Sequence, residues 1–500
     1  MGDNLGILKL IPVVYLLATI NAFAQDNSQQ PLSELALFNR CYAHLTQKAL
    51  PLKHALKNQI KSGSMTALNA CMQILDSARL IESGGNEGKL ISDTSESRDV
   101  LLSLNDFHRT WFTNDHIVKA ISYLEDFNGQ PYVHDEAEAG LHVTRVLLTN
   151  SAKFSEIVTG NSAMEALRTN GPSLYDQNAP ELPINKKMVT WSSNESTAVR
   201  VPLNPPLVQT GELVGIRKLS LNPTKQNFVS TARNGTEVGG KYFKTPGSIR
   251  MNQAFGGGII GTQSYLLLNL GRPNEKASDG GLVMNRRWSK TVLSDLLCRD
   301  LPAVRLSDAT PLVQTFETAQ TPPFRKAGSC MSCHSTMDPL AAVIRNLSYT
   351  AVYYPLLMGT VHIRAWPTTQ PAESGPVDLD SNYFQRPTRG ALFYRSYDGS
   401  LKNDAVNSLP ELGQAMANNN DLYICTAAKY FRHFTGVKVN LQDEGDPSNA
   451  RLPASDKAYR DLVINLGLEL KKTQSLRTLI QSILSSNVYR KSSMRLPEKQ

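Results

Sequence analysis

The twelve residues GSCMSCHSTMDP, from 328 to 339, constrain this 500-residue chain more than any other feature. They contain two cysteines three positions apart and a histidine directly after the second: Cys330, Cys333 and His334. A covalently attached haem, a zinc ion and a redox-active disulfide all use thiols at this spacing. The rest of the sequence has to distinguish among these three.

The spacing Cys-x-x-Cys-His favours haem c, because two thiols can form thioethers with the vinyl groups while the imidazole binds the iron. Structural zinc needs four ligands, and no second Cys-x-x-Cys or close Cys/His pair completes such a site. A thioredoxin-like disulfide follows a strand, whereas TPPFRKAGS before the motif has no strand pattern. We therefore expect haem c, attached to Cys330 and Cys333, with His334 as the proximal iron ligand.

The sequence indicates the ligand at the other axial position of the iron less clearly. Met358 and His362 lie in PLLMGTVHIRAW, separated from His334 by a helix and a turn, which gives the chain room to reach the opposite haem face. Met337 is only three residues beyond His334 and is tied to the proximal side. Met358 is therefore the first candidate for the distal ligand and His362 the second, with an open or water-bound iron as the alternative.

Residues 1–24 have the features of a secretory signal. Lys9 precedes the apolar run LIPVVYLLATI, and Ala22-Phe23-Ala24 supplies a small-x-small cleavage pattern. The run is short for a bilayer span, although an uncleaved N-terminal anchor remains the alternative. We expect the mature chain to be exported, into a bacterial periplasm, which is also where haem attachment of this kind takes place.

Composition and charge limit the classes of partner that this chain is expected to bind. The 41% hydrophobic content is that of a folded protein, and the net charge is +8. The basic residues are scattered among acidic ones and form no long cluster, so nucleic-acid binding is not expected. Association with an anionic membrane surface is compatible with the charge, a redox partner protein is expected, and no pattern indicates an oligomeric state.

Four further cysteines remain if Cys330 and Cys333 hold haem, and three pairings are possible. The preferred pairing is Cys41 with Cys71 and Cys298 with Cys425. Apolar residues at helical spacing surround both Cys41 and Cys71, so these two could face each other across a helical hairpin. A bridge there would stabilise the fold by about 3 to 4 kcal/mol on the loop-entropy model.

The periodicity predicts a mainly α-helical, multidomain protein with a small irregular β region. Helical patterns include DEAEAGLHVTRVLLTNSAKFSEIV, SKTVLSDLLC, DPLAAVIRNL, DLYICTAAKYFRHFTG and SLRTLIQSILSS, and short β-favouring pieces are KMVTW, TAVRV and GELVGIRKL. In DPLAAVIRNL, Asp338 is expected to cap the helix and Pro339 to start it. The predicted units are the signal (1–24), an N-terminal helical domain (25–171), an irregular region with short strands (172–254), a haem-binding domain (255–350), and a loop region with a C-terminal helical domain (351–500).

The order of motifs resembles that of the planctomycete-type cytochrome c-like proteins. The resemblance covers roughly 100 to 490 and rests on GGIIGTQSYLLL, NRRWSKTVLSDLLC, CMSCHSTMDPL, LPELGQAMANNNDLYICTAAKYFRHFTG and LRTLIQSILSSNVYR. It implies an exported haem protein in which Cys330, Cys333 and His334 are the attachment motif, and it matches Cys298 and Cys425 to cysteines of the flanking domains. Two features depart from the family pattern: AAVIRNLSY after Pro339, and Arg287 where glycine is common.

Three functions follow as hypotheses. The first is an exported monohaem c-type cytochrome that transfers electrons to a partner. The second is a haem oxidoreductase, peroxidase-like, with an open distal site, because a simple carrier needs only one small domain. The third is a non-haem envelope binding or structural protein stabilised by disulfides.

Overall fold

The computed structural model describes residues 30–112, 137–170, 182–183, 188–190, 197–200, 210–220, 232–237, 240–244, 248–249, 254–269, 283–313, 326–353, 359–365, 368 and 386–494. The expected signal lies outside these residues. Within them, no helix has the length and apolar content needed to cross a membrane.

Helices form most of the described structure. The first group is α1 (Glu34–Thr46), α2 (Ala55–Lys61), α3 (Ala67–Ser77), α4 (Ser95–Arg109), α5 (Glu138–Leu148) and α6 (Glu156–Thr159). The middle group is α7 (Gln263–Leu268), α8 (Val283–Leu297), α9 (Leu306–Ala309) and α10 (Gly328–Ala341). The last group is α11 (Leu409–Asn418), α12 (Asn420–Thr435), α13 (Ala454–Thr473), α14 (Leu476–Ser485) and α15 (Asn487–Arg490).

The strands form four sheets. They are β1 (Ser162–Asn170), β2 (Leu182–Pro183), β3 (Met188–Thr190), β4 (Thr197–Arg200), β5 (Thr210–Ser220), β6 (Ala232–Glu237), β7 (Gly240–Lys244), β8 (Ser248–Ile249), β9 (Leu347–Tyr353), β10 (Gly359–Ala365), β11 (Gly390–Arg395) and β12 (Leu401–Val406). A six-stranded sheet has the order β10-β9-β4-β3-β7-β6, and β1 with β5, β11 with β12 and β2 with β8 form two-stranded sheets. The only parallel neighbours are β4 and β9 among these described strands.

The predicted fold class, mainly α with a smaller β part, is confirmed. The pieces KMVTW, TAVRV and GELVGIRKL correspond to β3, β4 and β5. Two local predictions differ from the structure. The loop region that was expected at the start of the unit 351–500 contains β10 and β11. The helical pattern DEAEAGLHVTRVLLTNSAKFSEIV is divided into α5 and α6 by the segment 149–155.

Helix ends follow local chemistry. Ser33, Thr66, Thr94 and Ser408 each accept a hydrogen bond from a backbone N–H in the first turn of the helix that follows. These side chains satisfy amide groups that have no partner within the helix. At the C-terminal end of α12, Gly436 has a left-handed backbone conformation with φ of 70°. Glycine ends the helix in this conformation without the steric penalty of a Cβ atom.

Buried apolar side chains of the first, middle and last helical groups belong to one hydrophobic cluster. The two ends of the described chain also meet, since Arg40 on α1 donates to the carbonyl oxygens of Tyr489 and Lys491. Arg477 on α14 makes a two-bond ion pair with Asp76 on α3. The core is therefore continuous from the N-terminal to the C-terminal helices, and the predicted domain boundaries remain predictions.

The glycine-rich turn FGGGIIGTQ is close-packed. Gly256, Gly257 and Gly258 all have positive φ. A Cβ on Gly258 would lie 2.2 Å from the carbonyl oxygen of Ile157, so no larger residue fits against α6 there. This turn is a packing element between α6 and α11.

Both predicted disulfides are present. Cys41 on α1 is bonded to Cys71 on α3, and Cys298, directly after α8, is bonded to Cys425 on α12. Because disulfides persist in oxidising compartments, the two disulfides indicate that the protein folds in an extracytoplasmic environment.

Candidate functional site

The predicted haem-attachment motif lies on α10. Cys330 and Cys333 are three residues apart and His334 is four residues after Cys330, so the three side chains lie on one side of the helix. Neither cysteine is in a disulfide, and both are partly buried. The side chain of His334 is 20% exposed. The structure thus brings all three predicted residues together, within reach of solvent.

Several side chains of α10 are buried in the core. Ser335, Thr336 and Leu340 are buried, with Leu340 and Thr336 at 0% exposure. The N-terminal end of α10 approaches α9, where a Cβ on Gly328 would lie 3.3 Å from Leu306. At the other end, a Cβ on Gly390 of β11 would lie 2.7 Å from the carbonyl oxygen of Pro339. Packing at both ends therefore fixes the helix that carries the motif.

The start of this helix corrects one prediction. Asp338 does not cap a helix and Pro339 does not begin one, because both lie within the last turns of α10, which starts at Gly328. The following residues form a 3-10 turn, Ala342–Ile344, and then β9. Tertiary contacts with α8, α9 and β11 hold a helix across a segment whose Gly, Ser and Cys residues have modest helix propensity.

Asp338 instead orients the histidine. Its carboxylate oxygens lie 3.1 and 3.2 Å from Nδ1 of His334, one helical turn away. The same carboxylate accepts two hydrogen bonds from the guanidinium of Arg286 on α8, at 2.8 and 3.2 Å. A carboxylate at Nδ1 favours the tautomer with its proton on that nitrogen, so the Nε2 lone pair is the one available to a metal.

Sequence reasoning missed the role of this His-Asp-Arg set. The four-residue spacing between His334 and Asp338 was visible, and it brings two side chains together on any helix. Arg286 gave no comparable signal, because it lies 52 positions away in sequence and meets Asp338 only through the packing of α8 on α10.

The distal candidates are not placed. Met358 lies outside the described residues, and for His362 the structure describes only the backbone, in β10. Met337 lies on α10, one turn beyond His334 and partly buried, so it belongs to the same helix as the proximal side. The assignment of Met358 as distal ligand remains a prediction.

Protein ligands alone form no metal centre in the part of the chain that the structure describes, where no group of three or more His, Cys, Asp or Glu side chains is arranged around a common point. A haem iron needs fewer ligands from the protein than a bare metal ion does. The macrocycle supplies four nitrogen ligands, so one imidazole of the protein is enough to bind the iron. The donor set of two thiols and one oriented imidazole fits haem c and is too small for structural zinc.

A second group of ionisable side chains lies at the other end of α8. Burial raises the pKa of Asp295 to about 7, and the ammonium of Lys429 and the hydroxyl of Tyr265 offset this only in part. Burial also lowers the pKa of Lys429 to about 8, against the attraction of Asp295. The amine of Lys429 donates to the backbone oxygen of Asp295 and lies 4.8 Å from the ring centre of Trp111. The sequence analysis did not identify this group. The one feature that could have indicated it is Lys429, a lysine among the apolar residues of α12.

Comparison with known proteins finds no match for this chain among protein-family models, curated proteins or solved structures. The resemblance to planctomycete-type cytochrome c-like proteins therefore remains a prediction from the order of the motifs.

Proposed function

We propose that this protein is an exported monohaem c-type cytochrome-like protein that transfers electrons through a covalently bound haem. The observation that carries the proposal is the arrangement on α10: two unbridged thiols and a histidine on one partly exposed side of the helix. All four other cysteines are in disulfides. Cys330 and Cys333 are thus the two thiols that are not used in disulfides and could form thioether bonds.

Cys330 and Cys333 would hold the haem through thioether bonds, and His334 would bind its iron through Nε2. A haem held in this way supplies one-electron chemistry by alternating between ferric and ferrous iron. Asp338 holds the proton of His334 on Nδ1 and fixes the direction of the ring, while Arg286 fixes Asp338. The protein thereby sets the donor strength of the imidazole before any cofactor is attached.

Export supports the same proposal. The N-terminal 24 residues have the pattern of a secretory signal, and the disulfides require an oxidising compartment. Both are consistent with a bacterial periplasm, where haem c is attached. The electron donor and acceptor would be partner proteins that approach the exposed side of α10.

The test is the double substitution Cys330→Ala with Cys333→Ala, expressed together with a haem c maturation system. We expect the wild-type polypeptide to keep its haem after denaturation and the double variant to lose it, because no other thiol pair has the attachment spacing. Ser332→Ala is the matched control, since it changes a residue between the two cysteines and leaves both thiols. Haem that stays with the denatured double variant would contradict the proposal.

A further inference from the structure

A cleft of about 860 Å³ lies between the end of α8 and the C-terminal end of α12. Its walls come mainly from three described segments: 298–305, which leads from α8 to α9, the last two turns of α12, and 438–449, which follows α12. The volume lies within the range of small-molecule sites, about 300 to 1,000 Å³. The proposed function does not use this cleft, because no residue of the described helix α10 lines it.

Positive charge exceeds negative charge on the walls of the cleft. Six cationic side chains line it: Arg299, Arg305, Arg395, Lys429, Arg432 and Lys438. Three carboxylates line it: Asp300, Asp443 and Asp446. The carboxylates that balance Arg299, Arg395 and Lys429 are outside the lining; they are Asp421, Asp308 and Asp295. The lining therefore attracts an anion into the cleft.

Hydrogen bonds hold two of the guanidinium groups in place. Arg305 donates from Nε and Nη2 to Asp443 at 2.7 and 3.0 Å. Arg395 donates from Nε and Nη2 to Asp308 at 2.7 and 2.6 Å. The hydrogen bonds to Asp443 raise the pKa of Arg305, while the charge of Arg395 opposes this, so the two guanidinium groups are close enough to repel each other. An anion in the cleft would offset that repulsion.

Arg432 and Lys438 are the cations of the cleft that are free to pair with a ligand. Both are exposed. In the part of the chain that the structure describes, neither side chain makes a hydrogen bond or an ion pair. An anion can therefore pair with Arg432 and Lys438 without displacing a carboxylate of the protein.

Apolar side chains form another part of the lining. They include Leu301, Val304, Val439 and Leu441. A ligand with an apolar body would cover these side chains, whereas a bare inorganic anion would leave them in contact with water. The lining thus favours an organic anion over inorganic phosphate or sulfate.

We propose that this cleft is a binding site for a small organic anion that combines a carboxylate or phosphate group with an apolar body. Arg432 and Lys438 pair with the acid group, and Val304 and Val439 contact the apolar body. Carboxylates and phosphates share the chemistry that this site recognises, because both accept two parallel hydrogen bonds from one guanidinium group. Binding is reversible and involves no covalent step.

Anion binding here is independent of haem, because the cleft is lined by residues around α8, β11 and α12 and not by α10. The two are measured separately: covalent haem decides the proposed function, and ligand affinity decides this site. Either result leaves the other unchanged.

The experiment is isothermal titration calorimetry of the full-length protein with three probes of similar size: phenyl phosphate, phenylacetate and the neutral phenylacetamide. We expect both anions to bind, and phenylacetamide to bind at least about tenfold more weakly, because it lacks charge-assisted hydrogen bonds. Binding of the anions should also weaken as sodium chloride is added. The tighter of the two anions identifies the preferred acid group, phosphate or carboxylate.

The double substitution Arg432→Gln with Lys438→Gln should weaken binding of both anions at least about tenfold and leave that of phenylacetamide unchanged. The matched control is Lys53→Gln with Lys457→Gln, which removes the same charge at two exposed positions outside the cleft. Equal affinity for phenylacetate and phenylacetamide, no binding of either anion, or equal losses in the two double variants would overturn the inference.

Discussion

At the scale of single residues, the site depends on a carboxylate that the attachment motif does not include. Asp338 lies between the imidazole of His334 and the guanidinium of Arg286. The sequence predicted the three motif residues because their chemistry is local to five positions. The Arg286 contact could not be predicted, since it depends on how two helices pack. Residue spacing thus predicts the candidate ligands, and the tertiary structure shows the groups that would tune them.

Asp338→Asn should raise the reduction potential of the proposed haem. An ionised carboxylate at Nδ1 makes the imidazole a stronger donor and stabilises ferric iron, whereas a neutral amide does so less. Potentiometric titration of the two proteins measures the change, with Asp404→Asn on the exposed surface of β12 as control. An unchanged or lowered potential, in a variant with full haem content, would show that Asp338 does not act through His334.

At the scale of elements, α8 connects the candidate haem site at its start with the group of buried ionisable side chains at its end. Arg286 near its start bonds to α10, and Asp295 and Cys298 near its end meet α7 and α12. Just beyond it, Arg299 donates to the buried carboxylate of Asp421 on α12 and to the carbonyl oxygen of Leu441.

Asp421→Ala should lower the free energy of unfolding by about 3 to 5 kcal/mol, because it leaves the buried charge of Arg299 without its carboxylate. It also removes the acceptor of the Tyr394 hydroxyl and of the Tyr397 amide. Urea denaturation measures the loss. Asp404→Ala, at an exposed position, should change stability by no more than about 0.5 kcal/mol. A loss below about 1 kcal/mol for Asp421→Ala would mean that Arg299 is solvated in the variant.

Helices were predicted better than strands for a physical reason. The patterns in α8, α12 and α14 repeat over ten or more residues, and each buries a continuous apolar face. Strands β10 and β11 are six or seven residues long and lie between Pro- and Gly-rich stretches, where a short apolar run has no distinct period. The start of α10 was also missed, because packing against neighbours decides it and not the sequence of the segment.

At the scale of the whole molecule, the shared core contains histidines from several helices. Burial lowers the pKa of His44 on α1, of His108 on α4, of His142 on α5 to about 3 and of His433 on α12 to about 4. Each of these groups binds fewer protons in the folded state than in the unfolded state below about pH 6.5. Their contribution to stability is present above that pH and is lost as the pH falls toward the folded pKa values.

His433→Phe should therefore reduce the acid sensitivity of the protein. The variant keeps a ring to stack on Phe107 but binds no proton, so between pH 7 and pH 5 it should lose up to about 2 kcal/mol less stability than the wild type. Urea denaturation at the two pH values measures the difference, and Arg432→Gln on the exposed side of the same helix is the control. Equal losses in His433→Phe and the wild type would contradict the prediction.

We propose that this disulfide-bonded, mainly helical chain is exported and carries one covalent haem on α10. The absorption spectrum of the purified wild-type protein, denatured in alkaline pyridine and reduced, tests it most directly, because it reports the haem and the saturation of its vinyl groups together. We predict the spectrum of haem c with two thioether bonds, at one haem per chain. A spectrum without haem, or one of haem with intact vinyl groups that can be extracted by acid, would contradict the account.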